Sequence, residues 1–132
     1  MSSAIRELVA YRLRQAMETL KEADSLYQSA LWRGVINRSY YAMFYAVLAL
    51  AVLHQQATSK HSGVITFFDR EFVKTGIFEK NLSRSLHQAF ESRQQSDYGE
   101  IFEVSETEAK QSIEEAHTFV ESVKNYIQSI SL

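Results

Sequence analysis

Arg38, Tyr41 and Tyr45 stand three and four residues apart in the run Asn37-Arg38-Ser39-Tyr40-Tyr41-Ala42-Met43-Phe44-Tyr45. Such intervals return to one face of an α-helix, so the spacing predicts a single stripe carrying a guanidinium and two phenols. Helical side chains lean toward the helix N-terminus, which tilts Tyr45 toward Arg38. The chemistry open to this stripe is phosphate binding: the guanidinium fork makes paired hydrogen bonds to phosphate oxygens, and phenolic hydroxyls donate beside it. The same residues also admit a packing explanation, in which Arg38 pairs with a carboxylate such as Asp97 or Glu91 and the tyrosines fill the core.

Two further groups carry charge at useful spacing. Lys60-His61-Ser62-Gly63 opens a helix, where free amides, an ammonium and an imidazole suit an anion, or where a plain cap leaves the side chains in water. Lys80, Arg84 and His87 fall on one helical stripe. That stripe is a phosphate contact if the fold sets it beside Arg38 and a solvated face otherwise. The histidines, His54, His61, His87 and His117, include no pair one helical turn apart, and there is no cysteine, so neither a metal site nor a cofactor is expected. Glu114-Glu115 beside His117 is only a faint echo of such a site. There is no phosphate-cradling glycine loop and no serine-nucleophile motif.

The elements that must position these groups are helices. The chain has no proline and four glycines in 132 residues, so nothing interrupts long helical periods. Ile5, Leu8, Val9, Leu13, Ala16, Met17, Leu20, Ala23 and Tyr27 make one apolar stripe over about Ser3 to Tyr27. From about Ala30 to Gln55 apolar residues surround almost the whole helix, the mark of a central one. Shorter helices are predicted from about His61 to Val73 and from about Glu79 to Gln95, with Ser96-Asp97-Tyr98-Gly99 as a turn. Ser105-Glu106-Thr107-Glu108 reads as a capping box that starts the last helix. The expected fold is an all-α, up-and-down bundle of about five helices, a single domain over residues 1–132.

Net charge is −2, too little positive charge for a protein that coats nucleic acid. Residues 1–99 carry 12 basic and 9 acidic side chains, whereas residues 100–132 carry 2 and 7. Phosphate contacts are therefore expected in the first three quarters of the chain. The uncharged run Ala42 to Leu53 is shorter than the roughly 20 residues of a membrane span, and the first residues do not resemble a secretory signal. A buried core helix, no membrane contact and a cytoplasmic location are the expectations.

Three segments in order resemble the HEPN-domain family (higher eukaryotes and prokaryotes nucleotide-binding): Asn37 to Ala46, then Lys60 to Ile65 with Phe72 to Gly76, then Arg93 to Tyr98. The resemblance implies a helical bundle, usually a homodimer, and in many members a metal-independent ribonuclease. There an arginine, followed after four to six residues by a histidine, meets its copy at the dimer cleft. Arg38 matches the arginine, but Met43, Phe44 and Tyr45 stand five, six and seven places on, and His54 is too far along the helix to substitute. A tyrosine, with an ordinary pKa near 10, is a poor base at neutral pH. The resemblance thus implies weak or lost ribonuclease activity, with an active ribonuclease toxin and a structural helical dimer as alternatives. RNA or nucleotide contacts are expected at Arg38, Tyr41, Arg93, Asp97 and Tyr98 in the matched segments, and at Lys60, His61 and Arg84 from the charged groups above. The resemblance also implies a minimal nucleotidyltransferase partner, with Tyr45 as the tyrosine that such a partner would modify.

Overall fold

The computed structural model describes residues 2–56, 60–98 and 103–130. Among these, five α-helices and one π-helical turn form the fold: α1 Ser3–Gln28, α2 Trp32–Leu53, α3 His61–Phe68, the π-turn Asp69–Val73, α4 Lys80–Tyr98 and α5 Glu106–Ile130. The all-α expectation holds. Helices α1, α2, α4 and α5 alternate in direction as a four-helix bundle, and α3 sits on the return path from α2 to α4. The direction of α3 follows from its ends: His61 stacks on Tyr40 and Phe44 midway along α2, while Phe67 meets His54 just beyond its end. Helix α3 therefore runs parallel to α2.

Helix α2 is the central element. Its buried residues face every direction, with Val35, Ala42, Met43, Ala46, Val47, Ala49 and Leu50 fully enclosed. It is long and apolar enough to cross a membrane, yet 67% of its apolar window is buried inside the bundle. Its boundaries are tighter than the sequence implied. Ala30 (φ 58°) and Gln55 (φ 55°) take the left-handed conformation just outside it, closing α1 and α2 respectively.

Two other boundaries differ. The third helix remains α-helical only to Phe68; then Lys74 N–H donates to the Asp69 carbonyl (2.8 Å) across a π-turn. The wider turn lets Phe68 and Phe72 both face the core while Asp69 turns to α4. Ser96, Asp97 and Tyr98 continue α4 instead of forming a turn. Tertiary contacts hold them: Arg33 donates to the Ser96 carbonyl, Ser96 is buried, and Asp97 accepts from Asn37 (3.0 Å). Gly99 lies outside the described residues. The start of α5 is as expected: Glu108 N–H donates to Ser105 Oγ (3.1 Å), and that hydroxyl donates to the Glu108 carboxylate (3.1 Å).

Candidate functional site

The site is built where the first half of α2 meets the start of α3 and the end of α4. Arg38 lies over the Tyr41 ring, 5.1 Å from its centroid, and Tyr41 lies 6.0 Å from Tyr45. The stripe exists, but the arginine engages the nearer tyrosine rather than Tyr45. Arg38 Nε and Nη2 donate to the Asn37 side-chain carbonyl (3.0 and 2.8 Å), and Nη1 faces Glu22 at 3.4 Å. The carboxylate partner is thus Glu22 of α1, not Asp97 or Glu91. Asp97 is occupied by Asn37 and stands 3.8 Å from Arg93, one helical turn earlier on α4. Because the Arg38 side chain is 31% exposed and that of Glu22 60%, their pair is a surface contact, weak and easily exchanged.

Arg93 behaves differently. It is only 6% exposed, with its guanidinium over Tyr40 (5.3 Å), Tyr41 (5.6 Å) and Phe90 (5.9 Å). It is a fixed positive charge behind the tyrosines, not a free ligand for a phosphate. Tyr98 ends α4, and its side chain lies outside the described residues.

The largest change from the sequence reading concerns His61. Rather than remaining at a solvated helix start, it folds onto α2, stacked on Phe44 (4.5 Å, 22°) and edge-on to Tyr41 (5.8 Å). Its Nδ1 shares a 2.6 Å hydrogen bond with the Tyr40 hydroxyl. Burial pushes the Tyr40 phenol well above its ordinary range, a rise that the Arg93 charge partly offsets, so Tyr40 keeps its proton. Burial, then repulsion from Arg93, lowers His61 below its ordinary 6.5, so the ring is neutral at pH 7. The hydrogen bond can run either way. If the Tyr40 hydroxyl donates to Nδ1, the outer nitrogen Nε2 carries the ring proton and is a hydrogen-bond donor. If Nδ1–H donates to Tyr40, Nε2 presents a lone pair and is a base. Nε2 makes no hydrogen bond among the described residues.

The fold therefore brings a guanidinium and an imidazole into contact with one ring, Tyr41, although they lie on different helices. Spacing along α2 could not reveal this, and Tyr40 and Phe44, which seat the imidazole, read in sequence only as core. Lys60 stays exposed at the N-cap of α3. The basic stripe of α4 is divided: Lys80 lines a groove against the π-turn, Arg84 lines one between α4 and α5, and His87 Nε2 contacts Asp69 at 2.6 Å. None of the three joins the contacts around Arg38. No group of three or more metal-ligating side chains occurs among the described residues.

A family model described as HEPN domain matches residues 9–126. A Thermotoga maritima protein named UPF0332 protein is 38% identical over 124 residues, covering 94% of each chain. Two Methanocaldococcus jannaschii proteins bear the name "Putative toxin". One is 32% identical over 89% of this chain and 80% of its own, the other 32% identical over 96% and 93%. Bundle, ordered segments and family match agree, and the chain belongs to the HEPN-domain family.

Proposed function

We propose that this is a toxin-type HEPN protein of the cytoplasm that binds RNA or nucleotide phosphate around Arg38, at a cleft between two copies of the chain, and cleaves RNA slowly without a metal. The observation that carries this reading is the half-open Arg38 over Tyr41 with a half-buried imidazole, neutral at pH 7, in contact with the same ring. Arg38 exchanges Glu22 for a phosphate oxygen. His61 Nε2 takes the proton of a ribose 2′-hydroxyl, and the 2′-oxygen attacks the adjacent phosphorus. The bond to the 5′-oxygen breaks, and that oxygen takes a proton from solvent. The products are a 2′,3′-cyclic phosphate and a 5′-hydroxyl.

The test is Arg38→Ala in the purified protein. RNA binding weakens about tenfold, the scale of a lost charged hydrogen bond, while circular dichroism is unchanged. Equal binding by the variant overturns the assignment. A protein that binds through Arg38 yet never cuts RNA is a binding module instead.

The partner in this reading is a minimal nucleotidyltransferase, with Tyr45 as its acceptor. Tyr45 is half-buried beside Tyr41, close enough for a modification to crowd the phosphate position. Mass spectrometry after co-expression with such an enzyme should find a nucleotide on Tyr45 and none in Tyr45→Phe. An unmodified Tyr45 in a neutralised pair removes that role.

A further inference from the structure

A second basic feature lies along the protein from Arg38, on the face made by α3, the π-turn and the start of α4. A groove of about 600 Å³ is lined there by Thr66, Asp69, Arg70, Val73, Lys74 and Lys80. The negative charge within it is already engaged: Asp69 accepts from Ser83 Oγ (2.7 Å) through one oxygen and contacts His87 Nε2 (2.6 Å) through the other. Arg70 meets Glu71 only at 3.9 Å. Lys74 and Lys80 are exposed and take part in no ion pair among the described residues. Three cations lining one groove, Arg70, Lys74 and Lys80, suit a ligand with repeated phosphates, as the backbone of a single nucleic-acid strand has.

Position ties this groove to the candidate site. Ser62, Thr66 and Arg70 are exposed at four-residue intervals, so the outer face of α3 leads from His61 into the groove. At 1.5 Å per residue the distance from His61 to Arg70 is about 13 Å, a separation of a few nucleotides along a strand. We infer that Arg70, Lys74 and Lys80 form a track for the phosphates flanking the one held at Arg38, so that an RNA strand lies along α3. This inference rests on the proposed function, since it names how the substrate of that site is held.

The experiment uses a labelled 20-nucleotide single-stranded RNA, titrated with the wild type and with Arg70→Gln/Lys74→Gln/Lys80→Gln at several salt concentrations. Each phosphate contact on a single strand contributes about 0.7 to the log–log salt slope. Losing three should make the slope shallower by about 2 and weaken binding at low salt at least about tenfold. Cleavage of a dinucleotide, too short to reach the groove, stays unchanged. Should the triple variant melt early, Lys74→Gln alone, at an exposed position, should still change the slope by about 0.7. An unchanged slope and affinity overturn the track, as does equal competition by polyglutamate of matched charge, which would show an undiscriminating anion surface. Failure of the underlying site looks different: Arg38→Ala would then bind and cut like the wild type whatever the groove does.

Discussion

His61→Ala lowers the rate of RNA cleavage at least about 100-fold while leaving RNA affinity within about threefold of the wild type. A positioned general acid or base contributes roughly 10² to 10⁴ in rate, and His61 supplies the only imidazole in contact with Tyr41 among the described residues. Affinity stays because Arg38, not His61, carries the charge that binds phosphate. The pH profile gives an independent sign. A neutral imidazole is needed to take the 2′-hydroxyl proton, so the rate rises as pH rises through the His61 pKa. Burial and the Arg93 charge put that pKa below the ordinary 6.5, so the acid limb has its midpoint below pH 6.5. Stability follows the same group. The unfolded chain takes up a proton first, so this contribution is fully present above about pH 6.5 and is lost as pH falls toward the folded-state pKa. Equal rates for wild type and His61→Ala would remove the imidazole from the mechanism.

The second large effect is on stability. Phe72→Ala lowers it by about 3–5 kcal/mol, the usual loss on emptying a core aromatic site. Phe72 is completely buried in the π-turn, and its ring meets His54 (4.8 Å), Phe67 (5.7 Å), Phe78 (5.6 Å) and Tyr126 (5.6 Å). These contacts join the ends of α2, α3 and α5. Against the 5–15 kcal/mol typical of a whole domain the loss is severe, and denaturant titration reads it directly. Phe72→Leu, which keeps most of the volume, should cost less than about 1.5 kcal/mol. A loss under about 1 kcal/mol for the alanine variant would show that the rings do not close this end of the bundle.

The bundle was legible because its helices carry their own signals. Apolar periodicity marked α1, the capping box fixed the start of α5, and the uniform apolarity of α2 announced its central place. Boundaries set by tertiary contacts were not legible. Ser96 and Asp97 are turn formers by local preference, yet contacts from Arg33 and Asn37 hold them in α4. The π-turn needed knowledge that Asp69 would meet Ser83 and His87.

For the site, one helix could be read and the assembly could not. Spacing put Arg38, Tyr41 and Tyr45 on a stripe, as found. The family resemblance directed attention to a histidine within α2, where none falls in reach. The imidazole comes instead from α3, because α3 runs parallel to α2 and its first residue lies against Tyr40 and Phe44. Twelve residues of helix, about 18 Å, separate Tyr41 from Leu53, and nothing in local propensity says that α3 begins beside Tyr41 rather than beside Leu53. Arg93 and Asp97 looked like ligands by type; burial makes the first a fixed charge, and Asn37 takes the second.

The central claim is that Arg38 and His61 act on one phosphate, and a double-mutant cycle on the cleavage rate tests it most directly. Single-turnover rates would be measured for the wild type, Arg38→Ala, His61→Ala and the double variant, with a chelator present. Groups that serve one transition state are strongly non-additive, so the double variant should be hardly slower than the slower single variant. Rates that multiply independently, or a wild-type rate that survives both changes, would contradict a shared phosphate site.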